Sequence, residues 1–106
     1  MDWHVDITMQ AENDIEEIFR HIAFILEEPD IAWAQIRRIR EQINKLDRMP
    51  ERFPVVDEDP WKTRGVRRVN VDRYSAFYAL DEESGTVIVM RVFYARRDVS
   101  SVLQGY

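Results

Sequence analysis

The chain contains no cysteine, so neither disulfides nor thiolate metal sites can contribute to it. Its only histidines, His4 and His21, are too few and too far apart in sequence to suggest a metal site, and nothing indicates a cofactor. No window of about 18 apolar residues occurs, which excludes an ordinary membrane-spanning helix. The opening stretch MDWHVDITMQ has neither the basic lead nor the apolar core of a signal peptide. A soluble, cytoplasmic protein is therefore expected. A basic excess is also missing: 15 Lys and Arg against 20 Asp and Glu leave a formal charge of -5, which argues against generic nucleic-acid binding. Internal repeats and low-complexity segments are absent as well.

What is present fits one globular domain spanning residues 1–106, with 45% hydrophobic and 33% charged residues. The charge is segregated. Residues 1–60 hold 15 acids against 7 bases, whereas residues 61–106 hold 5 against 8. The most apolar stretch runs from Thr86 to Ala95 with Arg91 as its one charge, and predicts a strand covered on both faces. Strict alternation sorts Ile88, Met90, Val92 and Tyr94 onto one face and Val87, Val89, Arg91 and Phe93 onto the other. The second face carries cations among apolar groups, and Arg97 continues it if the strand geometry persists. That face is the expected functional surface.

Trp3 to Met9 alternates as a first strand, with Trp3, Val5 and Ile7 inward and His4 facing solvent. From Ala11 a helix is predicted, because Ile15, Ile18, Phe19, Ile22, Ile25 and Leu26 recur at steps of three and four. Pro29 should break it and Asp30 should cap a second helix, whose seam is Ala32, Ile36, Ile39, Ile43 and Leu46. So short a break implies an antiparallel helical hairpin, and its two apolar stripes need a sheet to cover them. Arg37, Arg38 and Arg40 read as a solvated helix face. Residues 50–62 hold three prolines and four acids and predict a loop, pinned to the core by Phe53 and Trp61. Gly65 to Val71 reads as a strand with Val69 and Val71 inward, Asp72 and Arg73 as a tight turn, Tyr74 to Leu80 as the next strand, and DEESG as the turn into the last. The fold class is α+β: an N-terminal strand and an antiparallel helical hairpin packed on a mainly antiparallel sheet of about four strands, in the order β-α-α-β-β-β.

A short first strand, an AENDIEEI helix, a second helix ending in INKLDRMPERFP, and then the blocks GVRRVNVDRYSAFYAL and VIVMRVFYARRD occur in that order. Over residues 5–103 this series resembles the RelE/ParE superfamily of toxins from bacterial type II toxin-antitoxin modules. The superfamily carries two activities on one fold. RelE-like members cleave messenger RNA on the ribosome, and ParE-like members bind DNA gyrase and trap its cleaved-DNA state. RelE-like enzymes place an arginine directly after the tyrosine that opens the penultimate strand, where this chain has Ser75 after Tyr74. An arginine after the last strand is matched by Arg97, with Arg96 beside it. The proton-transfer group expected about six residues later is replaced by Leu103. A serine cannot offer the guanidinium fork, and a leucine cannot move a proton.

The resemblance therefore implies a ParE-like toxin that poisons gyrase by binding, without a catalytic centre of its own. Its target-facing surface is expected to comprise Arg91, Arg96, Arg97, Lys62, Arg64, Arg67 and Arg68. The alternative is a ribosome-dependent endonuclease using Arg97 with Lys62 and Arg64, and a third reading is a degenerate member that only binds its antitoxin. The implied partner is a cognate antitoxin with an acidic, amphipathic C-terminal segment, which suits an apolar strand flanked by cations.

Overall fold

Thr8 joins the first strand to the first helix and serves both. Its hydroxyl accepts the Ala11 backbone N–H at 3.1 Å as an N-cap and donates to the Met90 carbonyl at 3.0 Å. One residue thus ends β1 (His4–Ile7), starts α1 (Met9–Arg20) and ties both to the last strand. The computed structural model describes residues 2–95. A π-helical turn, His21–Ile25, follows α1, and then come α2 (Pro29–Asn44), β2 (Arg67–Val71), β3 (Tyr74–Asp81) and β4 (Thr86–Tyr94). The sheet order is β1-β4-β3-β2, with β1 parallel to β4 and the other pairs antiparallel. This is the expected α+β arrangement.

The α2 seam is buried along its length, and so are Ala11, Ile15 and Ile22 of the first stripe. Ala11, Ile15, Ile36, Ile39, Ile43 and Leu46 meet Val69, Val71, Ala76, Tyr78, Val87, Val89 and Val92 on one face of the sheet, while Ile22, Ala23 and Ala32 form a small cluster of their own within the hairpin. A smaller core of Val56, Trp61, Val66, Phe77 and Met90 lies on the other face, beneath the proline-rich loop. β4 is accordingly covered on both sides. Phe53 packs on the main core and Trp61 is buried in the second, as expected for residues that pin the loop.

Three expectations are corrected. Ile25 and Leu26 do not extend the stripe but are exposed. The π turn holds one residue more per hydrogen bond than an α-helix, so side chains beyond it rotate out of register. The helix does break before Pro29 as expected, and Pro29 opens α2 at its first position, where its missing N–H costs nothing. Asp30 sits in the first turn of α2, and Glu28 occupies the cap position without a side-chain bond.

The third correction concerns β4. Phe77 pairs with Arg91 and Tyr78 with Val89, so Met90 is an extra residue on β4, a β-bulge. The bulge switches the alternation. Val87, Val89 and Val92 face the helices, while Ile88, Met90 and Phe93 face the loop. The sorting expected from strict alternation fails at Arg91.

Tyr78 is fully buried at the centre of the sheet, and its hydroxyl donates to the Pro50 carbonyl at 2.5 Å. Burial pushes the phenol up to about 12. A raised acid pKa means that the folded state holds its proton more tightly than the unfolded state. Stability is therefore full below about pH 10 and falls as pH rises toward 12. Tyr78→Phe should lower the urea-unfolding free energy at neutral pH by about 1–2 kcal/mol, through the unpaired carbonyl. It should also flatten the decline between those pH values, which a series of urea titrations reads.

Candidate functional site

The cations of the second half of the chain are distributed by the twofold period of the strands. On β2, Arg67 shares the parity of Val69 and Val71 and pairs across the sheet with Tyr78, on the helix side. Its guanidinium donates to the carbonyls of Glu51 and Phe53 at 2.9 and 2.6 Å. Arg68 pairs with Phe77 on the opposite face and lies 5.7 Å above that ring. Its Nε donates to Ser75 Oγ at 3.2 Å and to Asn70 Oδ1 at 3.4 Å, and its Nη2 reaches the Ala95 carbonyl at 3.5 Å. Ser75 in turn donates to Asn70 Oδ1 at 2.7 Å and is only 1% exposed.

Beside this cluster, a cleft of about 600 Å³ is lined by Phe53 to Glu58, Arg68 and Asn70. Lys62 pairs with Asp57 at 3.3 Å, and Arg64 stacks over the buried Trp61 at 5.3 Å. Lys62, Arg64 and Arg68 are thus gathered near the loop, while Arg67 is turned away to hold that loop down. Arg96 and Arg97 lie outside the described residues, as does Leu103.

Arg91 is the residue most changed from expectation. Instead of facing outward among apolar groups, it makes a two-pronged pair with Asp14 of α1, Nε–Oδ2 at 2.8 Å and Nη2–Oδ1 at 3.1 Å, with its guanidinium 4.2 Å over Phe93. Asp14 Oδ2 also accepts the Val92 backbone N–H at 3.0 Å. β1 pairs with β4 only as far as Val89, so the edge of β4 beyond it is open to this carboxylate. Asp14 is 7% exposed. Its signal was present in the sequence: it lies three residues after Ala11 and four before Ile18, a carboxylate on the apolar stripe of its helix.

A second cleft, of about 610 Å³, opens where α1 meets the ends of β3 and β4. Asp14, Glu17, His21, Arg73, Tyr74 and Tyr94 line it together with apolar neighbours. Tyr74 and Tyr94 meet edge-to-face at 5.9 Å, and burial followed by the neighbouring Tyr94 raises the Tyr74 hydroxyl above the usual phenol range. His4 is exposed on β1, 2.9 Å from Asp6. The helix arginines are less free than a solvated face implies. Arg38 pairs with Asp72 and Arg40 with Glu12, and each arginine holds its partner carboxyl below the usual range, helped at Asp72 by Gln35. Among the described residues, no three His, Asp or Glu side chains gather in a way that could hold a metal ion. No described helix is long and apolar enough to cross a membrane.

Replacing Asp14 by alanine removes the counter-charge from Arg91 and the acceptor from Val92. A loss of roughly 2–4 kcal/mol is expected in urea unfolding, smaller than for a fully enclosed pair because Arg91 retains some solvent. Asp14→Ala combined with Arg91→Ala should lose less than the sum of the two single changes.

Residues 5–99 match the family of the ParE toxin of type II toxin-antitoxin systems. No curated protein gives a significant match. Among solved structures, the chromosomal ParDE toxin-antitoxin system from P. aeruginosa includes a chain 20% identical to this one, with a TM-score of 0.73 over 89% of this chain and 97% of that one. The RelBE2 toxin-antitoxin complex from Mycobacterium tuberculosis gives 21% identity and 0.62 over 89% and 99%. The archaeal RelE-RelB complex from Pyrococcus horikoshii OT3 gives 17% and 0.61 over 92% and 100%. At these identities the likeness to solved structures is one of fold.

Proposed function

The chain belongs to the ParE toxin family of type II toxin-antitoxin systems, within the RelE/ParE superfamily, and from this premise we propose that it acts by binding DNA gyrase and trapping its cleaved-DNA state. One observation carries the proposal. The position after Tyr74, where RelE-like enzymes carry an arginine, is a buried serine whose hydroxyl is spent on Asn70 and Arg68. A ribonuclease would need a guanidinium fork there for a phosphate in transit. Arg68 does send its guanidinium toward this position, but its Nε is engaged by Ser75 and Asn70 and its Nη2 by the Ala95 carbonyl. Such a group is placed to hold the strand ends together more than to follow a moving charge.

The endonuclease alternative draws on the same cleft, since Asp57 and Glu58 line it with Arg68 and supply carboxylates beside a cation. A cognate antitoxin as neutralising partner is supported by the toxin-antitoxin complexes among the structural relatives. The target-facing surface in this proposal is the loop-side group of Lys62, Arg64 and Arg68, extended by Arg96 and Arg97. Arg67 and Arg91 contribute by holding the loop and the helix in place.

The deciding experiment is a gyrase supercoiling assay on relaxed plasmid, with linear DNA scored after denaturation. Inhibition with accumulated cleaved DNA is expected, and antitoxin should relieve it. Arg97→Ala should require about tenfold more protein for the same effect, as for loss of a charged contact central to an interface. Growth arrest without gyrase inhibition, accompanied by new 5′ ends inside translated codons, would move the target to the ribosome. Absence of growth arrest on expression alone would favour a degenerate member.

A further inference from the structure

The outer end of the helical hairpin carries large apolar groups where a folded monomer has no use for them. Phe24, Ile25, Leu26, Ile31 and Trp33 are all exposed within one short stretch, with Phe24 at 69%, Ile25 at 71% and Trp33 at 60%. Isolated exposed apolar residues are ordinary, but a run of this kind marks a contact surface. The rings are in mutual contact: Phe19 lies 4.6 Å from Trp33 and 6.4 Å from Phe24, centroid to centroid. Phe19 and Trp33 continue into a groove of about 340 Å³ between α1 and α2, which Ile15 and Ile36 also line.

This exposure is built into the backbone. A regular helix through residue 26 would return Ile25 and Leu26 to the buried stripe, and the π turn His21–Ile25 instead turns them outward. Glu27 then adopts a φ of +55°, a left-handed conformation that a non-glycine residue rarely takes. Both features cost stability that a better-buried tip would have kept.

Charge identifies the occupant. Glu17, Glu27, Glu28 and Asp30 are exposed around the apolar groups, and none makes an ion pair among the described residues. The base nearest in sequence on α1, Arg20, is held by Glu16 at 2.7 Å. On α2, Arg37 stands one turn beyond Trp33, and Arg40, which lines the groove, is held by Glu12 at 2.9 Å. A second copy docked tip to tip would set acid against acid, and an acidic antitoxin segment would meet the same repulsion. We propose that the hairpin tip docks a basic amphipathic helix of a partner protein. Its apolar face covers Phe24, Phe19 and Trp33, and its lysines or arginines meet Glu17, Glu27, Glu28 and Asp30. This surface is separate from the loop-side cations and does not depend on gyrase being the target.

The probe is a labelled synthetic helix of leucine and lysine at helical spacing, about 18 residues or five turns long. Binding to the whole protein is followed by fluorescence anisotropy at near-physiological salt. The native protein should bind it, and should bind a scrambled peptide of the same composition far more weakly. Glu27→Lys with Glu28→Lys, and separately Trp33→Ser, should each weaken binding by about tenfold or more. Glu82→Lys with Glu83→Lys, in the distant β3–β4 turn, should leave it unchanged. By circular dichroism the glutamate variants should melt as the native protein does, and Trp33→Ser should remain folded with a slightly lower melting temperature, since it loses the ring contact with Phe19. The proposal is overturned if the native protein ignores the peptide, or if the scrambled peptide binds equally. It is equally overturned if reversal in the distant turn matters as much as reversal at the tip. Dimers in sedimentation that Trp33→Ser abolishes would make a second copy the occupant and would also overturn it.

Discussion

The carboxylate of Asp14 is the point on which the two layers of this protein depend. It receives three hydrogen bonds, two from Arg91 and one from the Val92 backbone, and all come from β4 while Asp14 itself belongs to α1. A sheet edge left open by the short β1 would otherwise present an unpaired N–H near the helix-side core. Capping that edge with a helix side chain fixes how far along β4 the hairpin can sit. The Met90 bulge works with it. By adding one residue to β4 it sets Arg91 across from Phe77 of the loop-side core, and the Arg91 guanidinium still meets Asp14 of α1.

The same economy of cations runs through the second half of the chain. Arg67 anchors the 50–54 segment through two carbonyls, Arg64 stacks on Trp61, and Arg68 links Ser75, Asn70 and the end of β4. A positive count in this half therefore does not translate into an equally positive free surface. Arg67 and Arg68 hold backbone in place, because the guanidinium's fixed donors satisfy carbonyls without strand partners.

The acidic first half follows a different logic. Glu12 and Asp72 are engaged by Arg40 and Arg38, which stitch α2 to α1 and to the β2–β3 turn. Of the others, Glu27, Glu28 and Asp30 are exposed at the hairpin tip, where the π turn has also brought apolar groups to the surface, while Glu51, Asp57, Glu58 and Asp59 lie in the loop segment. Charge segregation along the sequence thus does not become segregation in space: Asp57 pairs with Lys62, and together with Glu58 it lines the cleft that Arg68 shares.

Element order, the α2 seam, the inward valines of β2 and the doubly covered last strand were all readable from the sequence. Each rests on a local periodicity, 3.6 residues for a helix and two for a strand, which burial on one face imposes on composition. The family motifs were readable for a similar reason, as short blocks in a fixed order. What periodicity could not show is where it is interrupted. The π turn exposed Ile25 and Leu26, and the bulge at Met90 reversed the faces of the residues after it, because each inserts one residue into a regular repeat that composition alone does not mark. The placement of Arg67 and Arg68 on opposite faces followed from strand parity, but their partners did not. By itself the sequence determined the elements and the family, since these depend on neighbours along the chain. Only the tertiary structure decided which charges are spent and which remain exposed, since an ion pair depends on distance in space between residues as far apart as 14 and 91.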